Sequence, residues 1–290
     1  MDPELSLFPN RATLDPALWH ERSVSTAYRL LCGLGQAEMV AYHASPMAFL
    51  TAVAHGMTRN GELVVAVSNY DPAFTELNGE LPTDIRLSIE KHAPRLDLHI
   101  VASSLHLLGK ARWLNVKEKA LLLSSGEVPE RVSALAEVGE IAVISYDRVL
   151  LHDVCGVTPL CMDLIGDEHE RCLDRQEHSL FCDLEPDVFS HPEHELLAVE
   201  VVNNPGLINL REAFDGLMLG SVTGACLARQ EISGTCEHAL GVTCLDVDRT
   251  GVTLMCIERE SAVTAFIPFE SLVSTRSDVV REIRQLGCSM

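Results

Sequence analysis

The chain has 290 residues, 47% of them hydrophobic and 22% charged, which is enough apolar side chain to offset chain entropy and excludes a disordered polymer; its length suits two domains better than one. Twenty-two Lys and Arg against 42 Asp and Glu leave a formal net charge of -20, so the surface should repel polyanions and nucleic acid is not an expected partner. No window reaches the roughly 18 apolar residues of a membrane span, and MDPELSLFPNRATLD has neither the basic region nor the apolar core of a signal peptide, so a soluble, cytoplasmic protein with no membrane partner is expected.

Residues 16 to 32, PALWHERSVSTAYRLLC, space their apolar positions as a helix does, with Pro16 suited to a first turn and Gly33 to a stop. AEMVAYH and MAFLTAVAH then read as strands. MTRNGELVVAV puts Asn60-Gly61 between extended segments, the signal of a two-residue hairpin. In DIRLSIE, Ile85, Leu87 and Ile89 alternate with Asp84, Arg86, Ser88 and Glu90; LDLHIVA alternates likewise through Leu96, Leu98 and Ile100. In SLHLLGKARWL, Leu105, Leu107, Gly109, Ala111 and Trp113 form one face of a strand. Ser104, His106, Lys110 and Arg112 share the other, interrupted by Leu108.

EVPERVSALAEVG, from 127 to 139, is helix-like. EIAVISY and RVLLHDV are expected to pair as strands about a turn at Asp147-Arg148, with VTPLCMDLI following. Six or more antiparallel strands by residue 165 imply a closed or nearly closed barrel, since closure removes exposed edges. The charged HERC to FCDLEPD segment reads as a linker. After Pro192, EHELLAVEVV and LINLREAFDGLML look helical, and GVTCLDVDRTGVTLMCIERESAVTAFIPF reads as a three-stranded meander turning at Asp248 to Gly251 and at Glu260-Ser261. SDVVREIRQL closes as a helix with Ser277 as its cap. The fold expected is α+β: an antiparallel barrel domain over residues 16–175 and a small α+β domain over 190–290.

The ten cysteines have no CxxC spacing and read as reduced core thiols. His169, Cys172, His178 and Cys182 offer four zinc donors, but the spacing fits no standard finger and a polar linker is the plainer reading. Asp246 and Asp248, two apart beside a turn, read as a solvated strand end and not an acid/base pair. Glycine-rich phosphate loops, GxSxG and HExxH are lacking, so no catalytic signature is present.

The run APRLDLHIVASSLHLLGKARWL, through SYDRVLLHDVCGVTPL, into GVTCLDVDRTGVTLMCIERESAVTAFIPFESLVSTRSDVVREIRQL resembles the actinobacterial branch of the haem iron utilisation proteins, over about residues 20 to 288. The resemblance implies a flavin-reductase-like or pyridoxamine-phosphate-oxidase-like split β-barrel, followed by an α+β domain. It also implies a homodimer with sites at the subunit boundary. Members of that group bind haem and in some cases degrade it; relatives of the barrel bind flavin mononucleotide (FMN), and others are non-catalytic partners in tetrapyrrole metabolism. Haem, FMN or no cofactor are therefore the alternatives, with a cofactor-free regulatory or interaction protein among them.

This chain departs from the family at EVVNNPGLINL. Asn203 matches the asparagine of the family's histidine-rich pattern, but Val201, Pro205 and Gly206 stand where two histidines and an aspartate would be. The remaining candidates for an anionic cofactor are Lys110 and Arg112, for phosphate or propionates, and His99 and His106, as donors. The same residues serve equally as the exposed face of a barrel strand or a polar dimer seam, and the sequence leaves both readings open.

Overall fold

A computed structural model describes residues 14–43, 47–76, 82–93, 100–182, 185, 187–189, 198–204, 206–232 and 240–288. Helix α1 (Pro16–Leu31) starts where the Asp15 carboxylate accepts from the Ala17 N–H and Pro16 presets the first turn; it stops before Gly33, at φ 107°. Its apolar stripe, Val24, Ala27, Tyr28, Leu30 and Leu31, plugs the barrel core.

Strands β1 (Gln36–Ala41), β2 (Ala48–Met57), β3 (Leu63–Ser68), β4 (Thr83–His92), β5 (Val101–Trp113) and β6 (Gly139–Tyr146) form the barrel in the order β4-β1-β2-β3-β6-β5, and it closes because β4 also pairs with β5. Every contact in it is antiparallel. The alternation read in residues 83–92 and 103–113 is the burial observed: Ile85, Leu87, Ile89, Leu105, Leu107 and Ala111 point inward and are buried. Strands β7 (Arg148–Asp153) and β8 (Gly156–Cys161) extend the sheet from β5, and Pro159 lies on the edge strand, where no ladder donor is required of it.

The structure corrects several expectations. Asn60-Gly61 does make a hairpin, but Thr58 and Glu62 close it through Thr58 N–H to Glu62 O (2.8 Å), so the loop has three residues with Gly61 left-handed at φ 79°. Asp147-Arg148 is not a hairpin turn: β6 and β7 both pair with β5, end to end. From Gly109↔Tyr146 to His106↔Leu150, β5 advances three residues while the other chain advances four, which is a bulge of one residue. Continuing along β5 already buries both apolar sets, Ile144 opposite Ala111 and Leu151 opposite Leu105, so no reversal is needed. Most of LDLHIVA, including His99, lies outside the described residues.

Helix α2 (Val116–Ser125) was not expected. It buries no residue fully and only Leu122 and Leu123 pack partly on the barrel's outer cluster, too little for a readable stripe; a capping box of Asn115 and Glu118 starts it and Gly126, at φ 71°, stops it. Helix α3 (Glu130–Ala136) lies within the helix-like 127–139 and packs Val132 and Ala136 on the outside of β3 and β6. The expected linker is instead the end of a long helix, α4 (Met162–Cys182), that packs along α1.

A second antiparallel sheet has the order β10-β11-β12-β9, from β9 (Ala225–Glu231), β10 (Gly241–Asp248), β11 (Gly251–Ile257) and β12 (Ser261–Pro268). The meander was legible, whereas β9 was not, its second half being exposed and polar. One face packs on a turn of helix at 198–202, on α5 (Leu210–Leu219) and on α6 (Arg276–Cys288). The other packs against the barrel and α1 through Leu245, Met255, Ile257, Ala93, Trp19 and Phe266. With both faces covered, β11 reads GVTLMCI and every residue of it is buried. Thr275, not Ser277, caps α6: its hydroxyl accepts from Asp278 N–H while Asp278 accepts from Thr275 N–H, both at 3.1 Å.

Candidate functional site

The outward face of β5 holds three of the residues singled out from sequence. Lys110 pairs with Asp84 across the ladder at 3.1 Å and Arg112 with Glu118 at 3.0 Å, both largely exposed. His106 is apart from them: its Nδ1 lies 3.0 Å from the Ser88 hydroxyl, its Nε2 3.2 Å from that of Ser104, and its ring meets His152 edge-on at 4.7 Å. A pocket of about 280 Å³ opens beside it, lined by Arg86, Leu108, Arg148 and Leu150. The structure thus groups His106 with Arg86 and Arg148, and not with Lys110 and Arg112.

A larger cleft lies at the other side of the barrel, where α1 ends and α3 and α4 approach β2. Its volume is about 530 Å³, and past Gly33, His55 and Arg131 it adjoins a second of about 380 Å³. Cofactor pockets typically span about 300–1,000 Å³. Five side chains on its wall are of types that ligate haem iron: Tyr28, Cys32, His55, Met57 and His169, of which Met57 is packed into the barrel core.

Hydrogen bonding distinguishes them. His169 has both nitrogens engaged: Nε2 lies 3.0 Å from the Arg59 carbonyl, to which it must donate, leaving Nδ1 to accept from the Tyr28 hydroxyl at 3.2 Å. Burial pushes the Tyr28 phenol far up, so it stays a donor. Burial likewise pushes the Cys32 thiol up to about 12, so it is not a thiolate at neutral pH. His55 differs. Its Nε2 lies 2.7 Å from the Leu30 carbonyl and donates to it, which leaves the ring's lone pair on Nδ1. Burial lowers its pKa to about 4, and Arg131 adds to that, so the ring is neutral at physiological pH. Arg131 has no ion pair among the described residues, whereas Arg59 pairs with Glu177 at the rim. Sequence reading passed over His55 as the tail of an apolar strand.

The four candidate zinc donors are not brought together among the described residues. His169 is held as above, Cys172 is buried against Glu168, Arg175 and Arg249, and no group of three or more metal donors occurs among the described residues. His178 and Cys182 have side chains outside the described set. None of the seven cysteines with described side chains is in a disulfide.

Asp246 and Asp248 are buried, which overturns their reading as a solvated strand end. Asp246 takes Lys91 Nζ at 2.5 Å and Arg29 at 3.3 Å; Asp248 faces Arg22 Nε at 3.5 Å, and Arg22 also holds Asp153 at 2.6 Å. Arg22 and Arg29 lie seven apart on one stripe of α1, so a layer of three cations and three carboxylates joins α1 and the barrel to the second sheet. Nearby, the Asn203 side chain accepts from Cys244 N–H at 3.0 Å, fixing the helical turn to β10. Val201 is buried in the second core.

An antiparallel split barrel with an appended α+β unit, carrying a cleft lined by potential donors, is the class of protein that fold and site define. No family model matches the chain and no curated protein matches it. Among solved structures it is similar to a heme binding protein from Mycobacterium smegmatis, with 13% identity, 95% of this chain and 98% of the other covered, and a TM-score of 0.44. It is also similar to a protein of unknown function from Agrobacterium tumefaciens, with 12% identity, coverages of 94% and 97%, and a TM-score of 0.38.

Proposed function

We propose that the protein binds haem, or a related anionic tetrapyrrole, in the cleft between α1, β2, α3 and α4. The observation that carries this reading is His55: a neutral imidazole whose Nε2 is committed to a backbone carbonyl and whose Nδ1 lone pair is left over, at the junction of the two lobes of the cleft. An imidazole whose other nitrogen is anchored in this way is a suitable axial donor. Arg131, which has no ion pair among the described residues, and Arg59 at the rim are the groups to meet carboxylates of the ligand. Bound haem would supply a redox-active iron; the protein's residues supply a ligand, a charge match and shelter from water. The reading assigns binding and no reaction. A homodimer belongs to it, supported by the exposed apolar residues Met47 (48%) and Phe49 (52%) at the start of β2.

The test is a haem titration followed by absorption. Saturation at one haem per chain is expected, with His55→Ala and Arg131→Ala each weakening binding about tenfold or more, the scale of a lost hydrogen bond to a charged group or of a lost ligand. Tight binding left unchanged by both substitutions would overturn the assignment.

A further inference from the structure

The small pocket on the outer face of the barrel stands apart from the cleft. Register sets its residues in rows across three strands: Arg86 of β4 faces Leu108 of β5; Ser88 faces His106, which faces Leu150 of β7; Ser104 faces His152. Arg148, two residues before Leu150 on β7, shares that face at the bulge. Arg86 and Arg148 therefore flank β5, about 10 Å apart at the backbone given a strand spacing of about 4.8 Å, and both reach the pocket between them. Neither has an ion pair among the described residues, although Lys110 and Arg112 on the same strand face are paired. In a chain of net charge -20, two guanidinium groups with no ion pair among the described residues, against the single carboxylate of Asp147 in the same lining, mark a place for an anion.

We infer that this pocket binds a phosphomonoester, its phosphoryl group between Arg86 and Arg148 and its apolar body on Leu108 and Leu150. Two forked guanidinium groups match the several oxygens of a dianion, whereas a carboxylate would occupy only one of them. The volume of about 280 Å³ leaves room for a body beyond the phosphoryl group, and Leu108, 64% exposed, offers it an apolar seat.

His106 adds a proton to the site. Both its nitrogens face hydroxyls, which either donate or accept, so the ring passes from neutral to doubly protonated without losing a partner. Burial first, then His152 and Arg86, lower its pKa, while Glu90 acts the other way. Arg148 and Asp147 also face the pocket from the bulge. A bound dianion opposes those lowering effects and raises the pKa, so binding of the dianion takes up a proton on His106 and the affinity for the dianion falls as pH rises.

Calorimetric titration of the full chain with phenyl phosphate and with inorganic phosphate, at about pH 6 and about pH 8, tests this, each affinity being expressed per dianion because the second proton of such ligands leaves at about pH 6 to 7. Phenyl phosphate is expected to bind more tightly than inorganic phosphate and more tightly at the lower pH. Arg86→Ala with Arg148→Ala should weaken it by about tenfold or more, and His106→Gln should remove the pH dependence. The two arginines are exposed, so the double variant should keep its circular dichroism spectrum, and it should still take up haem, which separates failure here from failure of the cleft. No binding at millimolar ligand, binding that survives the double substitution, or equal affinity for both phosphates would each overturn the inference. So would a change of oligomeric state in the double variant without phosphate binding by the wild type, which would make this face a subunit interface.

Discussion

Replacing Asp246 by Ala tests whether the buried ionic layer holds the second sheet to the barrel. The substitution leaves Lys91 and Arg29, 6% and 3% exposed, without their shared carboxylate. Removing one partner of a buried pair costs about 3–5 kcal/mol because the charge left behind stays out of water. Asp248→Asn is the control. Its Oδ1 still accepts from the Thr250 N–H (2.7 Å), and Arg22 keeps Asp153, so a loss under about 2 kcal/mol is expected. The two carboxylates differ in the same sense electrostatically. Burial raises both pKa values, but Lys91 and Arg29 overcome it and hold Asp246 well below the usual range, while Asp248, beside the charge of Asp246, stays above it. Asp246 therefore stabilises the fold above its unfolded value of 3.8, a contribution lost only as pH falls through the lower folded value; Asp248 opposes folding at neutral pH. Urea unfolding reads the difference. Trp19 meets Phe266 at a tilt at the junction, with centroids 5.3 Å apart, and Trp113 meets Phe74 in the barrel at 5.0 Å, so Trp→Phe variants separate junction from barrel. For Asp246→Ala, the Trp19 signal should shift first. A loss below about 1 kcal/mol, or a larger loss for Asp248→Asn, would refute the reasoning.

Gly109→Ala places a Cβ 2.4 Å from the Ser145 carbonyl oxygen and should destabilise the barrel by about 1–3 kcal/mol in the same urea assay. Lys110→Ala removes an exposed pair with Asp84 and should change stability by no more than about 1 kcal/mol. His55, buried and neutral, contributes stability that is present above its unfolded pKa of 6.5 and lost as pH falls to about 4; the urea midpoint should decline over that window, and less so in His55→Gln. Light scattering at micromolar concentration should report a dimer, and charged substitution of Phe49 should dissociate it if the start of β2 forms the seam.

The barrel was legible because its strands are half-buried, so that Ile85, Leu87, Leu105 and Leu107 announce an inner face by alternation. The same alternation places Arg86 and Arg148 outward. Which outward residues meet depends on the bulge between β6 and β7, and a one-residue bulge leaves no trace that distinguishes it from a turn. Charge misled in two places. Asp246 and Asp248 look solvated because their partners, Arg22, Arg29 and Lys91, are more than 150 residues away in sequence. The segment beginning at His169 looks like a linker because the described buried side of its helix, including Glu168 and Cys172, carries ion-paired and polar groups where apolar ones would be expected. His55 was hidden differently, since only the approach of α1 reveals that one of its nitrogens is used and the other is not.

The central claim is that His55 supplies the donor for a haem held in the cleft. Its most direct test is the absorption spectrum of the ferric complex in the wild type, in His55→Ala, and in His55→Ala with added imidazole. A wild-type spectrum of imidazole ligation, its loss in the variant and its return with free imidazole is the result expected. A spectrum unaltered by the substitution would contradict the claim and place the ligand on another residue.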